Sequence, residues 1–175
     1  MKKSRYFSEL SKSYDDEIDD LLTDSAGKSA LQKRLSDKRR VFDALLPMID
    51  FSPEMVAVVF YTAFDFSSRE TMQQIVQSYP DRSDFPAWDT LKETLTVADW
   101  AESLIVATLK TRGGDAFLVV AAALEFLRTH ASAYEQKADK MSVSAPEEGN
   151  DDENEDLGEA GAGWLSEQGF DTPER

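Results

Sequence analysis

Cysteine is absent from this chain, and histidine occurs once, as His130. Without cysteine, disulfides, thiolate zinc sites and thiol nucleophiles are excluded, so the fold must rely on its apolar core. A single histidine also excludes a multi-histidine metal site and a pair of histidines for acid–base catalysis. Since no catalytic motif is recognisable either, we predict a protein that is not an enzyme and that holds neither a metal nor a cofactor.

Long hydrophobic runs are absent as well. The longest run, Ala116 to Leu124, is far shorter than the roughly 20 residues that a bilayer-spanning helix needs. The basic start, Met1 to Arg5, is not followed by an apolar stretch, so we expect no signal peptide. We predict a soluble, cytoplasmic protein that does not contact membranes.

Basic residues are scarce at one end of the chain. Of the net charge of −15, the segment from Glu147 to Arg175 carries −10, with eleven acidic residues and one basic residue. Residues 1–146 have 23 acidic and 18 basic residues, a net of −5. A segment of this composition buries too little apolar surface to offset its ordering entropy. We therefore predict a folded domain over residues 1–141 and a disordered acidic tail over residues 142–175.

Apolar side chains recur at helical spacing throughout the body, and no convincing alternation indicates a strand. The pattern predicts an all-α fold, a compact bundle of about six to seven helices. Segments 55–66 and 116–127 are apolar nearly all round, so we expect them to be the central helices. Seven helices are predicted. The first four cover residues 5–23, residues 29 to 47 or 49, residues 55–66, and a segment from Ser67 to Tyr79. The fifth runs from Asp84 through Leu95, the sixth ends at Gly113, and the seventh starts at Asp115.

Several of these helices begin at recognisable capping signals. Ser52 followed by Pro53 is typical of a helix start. Ser67 with Glu70 three residues later has the form of a capping box, and Asp115 is in position to cap the last helix. Thr96 is a candidate cap between the fifth and the sixth of these helices.

Two charge runs of opposite sign lie near the start of the chain, at residues 15–20 and 33–40. In an antiparallel hairpin of the first two helices these runs would lie side by side and neutralise each other. The alternative is that the basic run binds phosphate groups. The neighbouring acidic residues and the negative total charge oppose that alternative, so we predict no direct binding of nucleic acid.

The acidic run contains one pattern with a chemical meaning. Asp15-Asp16-x-x-Asp19 resembles the aspartate-rich motif by which helical isoprenoid synthases hold magnesium and diphosphate, and carboxylate oxygens are suitable magnesium ligands. The resemblance covers five residues, and the chain has no second matching motif. It implies a magnesium-dependent helical hydrolase as an alternative function.

The acidic tail ends in a group of large apolar residues, Trp164, Leu165 and Phe170. Such residues are disfavoured in a solvated segment unless a surface covers them. One interpretation is that they anchor the tail in a groove of another protein, and basic residues around that groove would attract the acidic linker. The other is that they fold back onto their own domain.

The pattern as a whole favours a non-catalytic protein-binding function, as a regulatory, adaptor or chaperone-like protein whose partner is another protein with a basic-rimmed groove. We predict Trp164, Leu165 and Phe170 as the partner-binding residues. A second alternative is an acidic mimic of nucleic acid that inhibits a DNA-binding protein. A mimic needs a folded array of carboxylates, whereas most of the net charge here lies in the tail.

Overall fold

The apolar segment near the end of the body lies in the longest helix of the described chain, α8 (Gly114–Ser142). The computed structural model describes residues 2–23 and 28–142, and Met1–Ala138 form one compact unit. Every residue of α8 from Phe117 to Leu127 is buried. A helix that is buried all round lies at the centre of its domain, so the prediction of a central helix over 116–127 is confirmed.

The first two helices pack together as the periodicity predicts. Helix α1 (Arg5–Thr23) begins and ends as predicted, and it contacts α2 (Lys28–Arg40). The Nη1 atom of Arg34 donates to the backbone carbonyl of Asp20 at 3.4 Å, which places the acidic and basic runs next to each other. The buried face of α1 consists of Phe7, Ser11, Tyr14, Ile18 and Leu21.

The second predicted helix is interrupted after Arg40. A short helix α3 (Phe42–Leu45) and a 3-10 turn (Leu46–Met48) follow. Helix α4 (Pro53–Ala57) then begins after Ser52 with proline in its first turn, so the predicted helix start is confirmed. Helix α4 packs against α1.

The prediction of one continuous helix over 55–66 is wrong in its second half. After α4 the chain forms a 3-10 turn (Val58–Phe60) and passes through Thr62, which has a φ of 64°. It then enters strand β1 (Phe64–Phe66), which pairs antiparallel with β2 (Leu95–Val97). An apolar run of this length has no periodicity that separates a buried strand from a buried helix. Thr96, predicted as a helix cap, lies in β2.

Two of the predicted caps act elsewhere. Helix α5 (Arg69–Ile75) is capped by Ser68, whose hydroxyl accepts from the N–H of Thr71 at 3.3 Å. The hydroxyl of Ser67 instead donates to the carbonyl of Thr94 at 2.7 Å. Asp115 accepts from the N–H of Trp88 at 3.1 Å, so it caps α6 (Trp88–Lys92) rather than its own helix.

An aromatic cluster fills the space between the sheet and the helices. The ring of Phe60 lies 5.7 Å from that of Phe42, 5.9 Å from Phe64 and 6.3 Å from Phe117, and Phe64 also contacts Trp88 at 5.8 Å. Helix α7 (Glu102–Leu109) packs beside this core. Within the described chain the fold is therefore all-α, with eight α-helices and one two-stranded sheet. No helix in residues 2–23 or 28–142 is long and apolar enough to cross a membrane.

Candidate functional site

Arg39, at the end of α2, connects the protein surface to the core. Its Nε donates to the carbonyl of Val59 at 3.0 Å and its Nη2 to the carbonyl of Tyr61 at 3.1 Å. Its guanidinium carbon lies 3.7 Å from the centroid of the Trp100 ring, a cation–π contact. Burial lowers the pKa of Arg39, and the nearby carboxyl of Glu125 acts in the opposite direction. Arg39 thus fixes both a backbone turn and a surface tryptophan.

Glu125 is the one charged residue in the buried part of α8, from Phe117 to Leu127, and its side chain is 6% exposed. Burial raises its pKa to about 8, while hydrogen bonding from the backbone N–H groups of Thr62 and Ala63, together with the positive charge of Arg39, lowers it. The carboxyl therefore titrates near pH 8 rather than near pH 4.5.

Two buried polar atoms have no hydrogen-bond partner within the described residues. They are the Oε2 atom of the Glu125 carboxyl and the hydroxyl of Tyr14. Tyr14 is 1% exposed. Burial raises its pKa well above 10, and the charge of Glu125 raises it further. A buried polar atom without a partner costs free energy. Protonation of Glu125 lowers that cost for its carboxyl, because it removes the buried charge.

A buried carboxyl with a raised pKa is a common feature of catalytic acids. Here, however, Glu125 and Tyr14 are enclosed by the core, with 6% and 1% exposure. A general acid must come within hydrogen-bond reach of its substrate, and a substrate has no access to these atoms in this structure. Glu125, through Thr62 and Ala63, and Arg39, through Val59 and Tyr61, instead hold the backbone turn formed by Val59–Ala63.

The aspartates of the proposed magnesium motif bind an arginine. Nη1 of Arg128 lies 2.9 Å from the Oδ1 of Asp15, and its Nη2 lies 2.9 Å from the Oδ1 of Asp19. The two carboxylates lie on one face of α1 because they are four residues apart. A guanidinium here occupies the position between the carboxylates that a cation would need. Within residues 2–23 and 28–130, His, Asp and Glu side chains form no group of three that could hold a metal ion.

This bridge between α1 and α8 leads to a stability prediction. We expect Arg128→Gln to lower the free energy of unfolding by about 1 kcal/mol at low salt, because it removes two charge-assisted hydrogen bonds that are only partly exposed. Urea unfolding in 0.05 M and 1 M NaCl measures the effect, which should shrink at high salt. As a matched control, Arg5→Gln breaks the exposed pair with Glu9 and should leave the unfolding midpoint unchanged. Equal midpoints for the two variants would contradict the prediction.

His130, the single histidine, lies within α8 rather than at its end. Its ring centroid is 4.2 Å from that of Phe126. Burial and the positive charge of Arg69 lower its pKa. The neutral ring therefore packs on the core, and no nucleophile is placed against it among the contacts of the described chain.

Large apolar side chains are exposed on the segment that precedes α4, at Val41 and Phe51, and on the turn that precedes α7, at Trp100. Phe51 is 87% exposed, Val41 is 53% exposed and Trp100 is 40% exposed. We call these three residues the Phe51 face. In a hydrophobic staple, the residue before the helix cap packs on the fourth helical residue. Phe51 holds that position relative to Val56, which is fully buried, yet the Phe51 ring remains in solvent.

Two contacts join the neighbours of Val41 and Phe51 to residues that flank α7. Arg39, two residues before Val41, stacks on Trp100 in the 3-10 turn that precedes α7. At the other end, the Oδ1 of Asp50 lies 3.4 Å from the position of a Cβ on Gly113, just beyond α7. The segment 41–51 is therefore connected near both of its ends to residues that flank α7. Helix α7 itself exposes Val106 and Leu109.

The segment that carries Val41 and Phe51 contains acidic but no basic residues. From Val41 to Ser68 the sequence contains no lysine, arginine or histidine, and it contains Asp43, Asp50, Glu54 and Asp65. Asp43 and Asp50 are exposed. At the edge of this region, Arg40 lies 3.6 Å from the carboxylate of Asp37. Phe51 thus lies in a segment whose charged side chains are all acidic, whereas Trp100 carries the guanidinium of Arg39 on its ring.

A separate surface groove of about 460 Å³ lies on the side of α1. Burial and the charge of Glu54 raise the pKa of Tyr6 in its wall to about 12, so the phenol stays protonated. The groove carries both signs of charge, and Arg5 already pairs with Glu9 at 2.8 Å. It is lined by Arg5, Tyr6, Glu9, Tyr79, Pro80 and Asp81.

The residues predicted as the partner-binding site, Trp164, Leu165 and Phe170, lie outside the described residues, as does the predicted acidic tail beyond residue 142. The periodicity of the sequence indicates neither the Phe51 face nor the electrostatic interaction of Arg39 with Glu125. Glu125 was visible as the lone charge in an apolar run. No local signal marks Phe51 as exposed, since it has the position of a staple residue.

No protein-family model, curated protein or solved structure matches this chain.

Proposed function

We propose that this protein is a non-catalytic protein-binding protein, and that its folded domain contacts the partner through the Phe51 face. The observation that carries the proposal is the 87% exposure of Phe51. Aromatic residues are the most frequent energetic anchors in protein interfaces. Exposed apolar groups with a polar rim are typical of such interfaces.

The charge pattern indicates the chemistry of the partner. Exposed carboxylates at Asp43 and Asp50 flank the apolar side chains, and no basic residue occurs between Val41 and Ser68. A complementary surface has an apolar pocket for Phe51 and a rim of lysine and arginine. We therefore propose a partner protein with a basic-rimmed apolar groove.

The tail motif of Trp164, Leu165 and Phe170 stays a prediction, and we propose it as a second anchor for the same partner. The eleven carboxylates between Glu147 and Glu174 would attract a basic surface over long range and increase the rate of association. Two anchors on one chain also raise the local concentration of the second contact once the first has formed.

Two observations favour binding over the alternative functions. Glu125 and Tyr14, whose pKa values are displaced furthest by burial, are enclosed by the core, which favours a structural role over catalysis. Asp15 and Asp19 are bridged by Arg128, which reduces the folded carboxylate array that a nucleic-acid mimic requires. We further propose that the protein acts in the cytoplasm, since a chain without cysteine suits a reducing compartment.

The proposal is tested by replacing Phe51 with a small polar residue. A partner captured by cross-linking to the full chain is purified, and its affinity is measured for wild type and Phe51→Ser. We expect Phe51→Ser to weaken binding roughly 30-fold, as the loss of an interface anchor worth about 2 kcal/mol does. The circular dichroism and the unfolding midpoint should not change, because the side chain is exposed.

The matched control is Leu22→Ser, which replaces another exposed large apolar residue, 38% exposed, on α1. This variant should bind the partner as wild type does. In parallel, alanine at Trp164, Leu165 and Phe170 tests the second anchor. Undiminished affinity of Phe51→Ser would overturn the assignment of this face. Reversible self-association that Phe51→Ser abolishes would show that the occupant is a second copy of the chain instead.

A further inference from the structure

The backbone around Trp100 is attached to the rest of the domain. Trp100 is the middle residue of the 3-10 turn Asp99–Ala101. Just before this turn, Ala98 donates its N–H to the carbonyl of Ala63 at 2.9 Å. Just after Trp100, Ala101 is fully buried and donates its N–H to the carbonyl of Ala98 at 2.8 Å. The backbone therefore fixes where the tryptophan side chain begins, and only its two side-chain torsions remain to be set.

Arg39 supports the ring of Trp100. The guanidinium is itself held in place, because its Nε and Nη2 donate to the carbonyls of Val59 and Tyr61 at 3.0 and 3.1 Å. The guanidinium carbon lies 3.7 Å from the centroid of the indole ring. A planar guanidinium can bind acceptors along its edge while its face stacks on an aromatic ring. The indole is thus stacked on a cation that the backbone of the domain holds.

Trp100 is nevertheless 40% exposed, whereas Trp88, the other tryptophan of the described residues, is 1% exposed. Tryptophan is among the most frequent energetic anchors of protein interfaces. A mobile side chain loses entropy when a partner immobilises it, and a side chain that is already ordered avoids this loss. Ordering of Trp100 in the free protein therefore favours binding, even if Arg39 itself does not contact the partner.

We propose that Trp100 is an anchor of the Phe51 face that is ordered before the partner binds, and that Arg39 is the positioning residue that orders it. The proposal rests on the proposed protein-binding function for its effect on affinity. The order of Trp100, in contrast, is a property of the free chain. Lysine at position 39 keeps the positive charge but offers no planar face to the indole, so Arg39→Lys is the variant that separates geometry from charge.

The alternative is that Arg39 serves only to support the Val59–Ala63 turn. Thr62 in this turn has a φ of 64°, in the left-handed region that β-branched residues rarely adopt. Such a residue persists where the surrounding structure holds it. Loss of the two hydrogen bonds from Arg39 therefore costs stability under either interpretation, and stability alone does not distinguish them.

The order of Trp100 is measured on the full-length chain without a partner, from the nuclear magnetic relaxation of the indole N–H groups. Trp100→Phe identifies the signal of Trp100 by its absence. In wild type we expect an order parameter of about 0.85, that of a rigid group, for both Trp100 and Trp88. In Arg39→Lys the value should fall below about 0.6 for Trp100 and stay unchanged for Trp88. A mobile Trp100 in wild type, or an equally ordered one in Arg39→Lys, overturns the proposal.

A double-mutant cycle with the purified partner separates positioning of Trp100 from support of the turn. We expect Trp100→Ala to weaken binding at least roughly tenfold. Arg39→Lys should weaken it roughly fivefold, the cost of immobilising one mobile side chain, and should have no further effect in the Trp100→Ala background. A loss of the same size in both backgrounds shows that Arg39 acts through the turn, and overturns the proposal.

The matched control is Arg128→Gln, which removes another partly buried arginine, the one that bridges α1 and α8. This variant should bind the partner as wild type does. The outcomes also separate this proposal from the proposed function. An unaffected Phe51→Ser contradicts the proposed interface but leaves the order of Trp100 as measured. A mobile Trp100, or undiminished affinity of Trp100→Ala, overturns the pre-ordered anchor even where Phe51→Ser loses the partner.

Discussion

Glu125→Gln is expected to be more stable than wild type at pH 9 and equally stable at pH 4. The cause is the burial that raises the pKa of this carboxyl from 4.5 to about 8. Each pKa unit corresponds to about 1.4 kcal/mol, so ionising Glu125 in the folded protein costs on the order of 5 kcal/mol. Glutamine keeps an acceptor for the N–H groups of Thr62 and Ala63 and carries no charge at any pH. We expect it to recover roughly 3 kcal/mol at pH 9.

The sign follows from the binding of protons. Between pH 4.5 and pH 8 the folded protein holds a proton on Glu125 that the unfolded chain has released, so the stability of wild type falls as the pH rises. The contribution is complete below pH 4.5 and is lost by about pH 8. Because other carboxyls titrate at low pH, the quantity to compare is the difference between variant and wild type.

Urea unfolding at half-unit steps from pH 4 to pH 9.5 measures this difference. The free-energy gap between Glu125→Gln and wild type should open between pH 4.5 and pH 8 and then stay constant. Glu93→Gln, at an exposed position, is the control and should show no such gap. A gap that does not vary with pH would show that Glu125 stays ionised in the folded protein.

Gly114→Ala is expected to destabilise the fold by roughly 3 kcal/mol or more. In an unconstrained helix, alanine in place of glycine stabilises by up to about 1 kcal/mol. Here a Cβ on Gly114 would lie 1.9 Å from the carbonyl oxygen of Thr108 and 2.7 Å from its carbon. Both are backbone atoms, so no side-chain rotation relieves the overlap, and the turn between α7 and α8 must shift.

The neighbouring glycine provides a matched control. Gly113 has a φ of 75°, and a Cβ there meets Asp50 at 3.4 Å, which is ordinary contact. We expect Gly113→Ala to cost about 1 kcal/mol, from backbone conformation alone. Urea midpoints with unchanged slopes give the two values. A Gly114→Ala protein as stable as wild type would contradict the close approach of the two helices.

Helix positions that depend on a long amphipathic pattern could be predicted from the sequence. Helix α1 has the predicted bounds, because its apolar side chains recur over nineteen residues and only one face is buried. Segment 116–127 was recognisable as the central helix because it is apolar on all sides. Both features are local, and the physical rule that links them to structure does not depend on the rest of the chain.

The strand β1 and the caps could not be placed in this way. An apolar run such as Val58–Phe66 is equally compatible with a buried helix and a buried strand, and pairing with Leu95–Val97 decided between them. Asp115 has the residue type and position of a cap for α8. It binds the N–H of Trp88 instead, because folding brings the start of α6 within its reach.

The sequence by itself determined the helical class, the composition of the core and the uneven distribution of charge, because these depend on residue type and short-range spacing. The tertiary structure alone decided the features on which the functional proposals rest. It placed Arg39 between Trp100 and the turn that faces Glu125, and it left Phe51 in solvent. Burial, pKa and exposure depend on neighbours distant in the chain, and no local pattern contains that information.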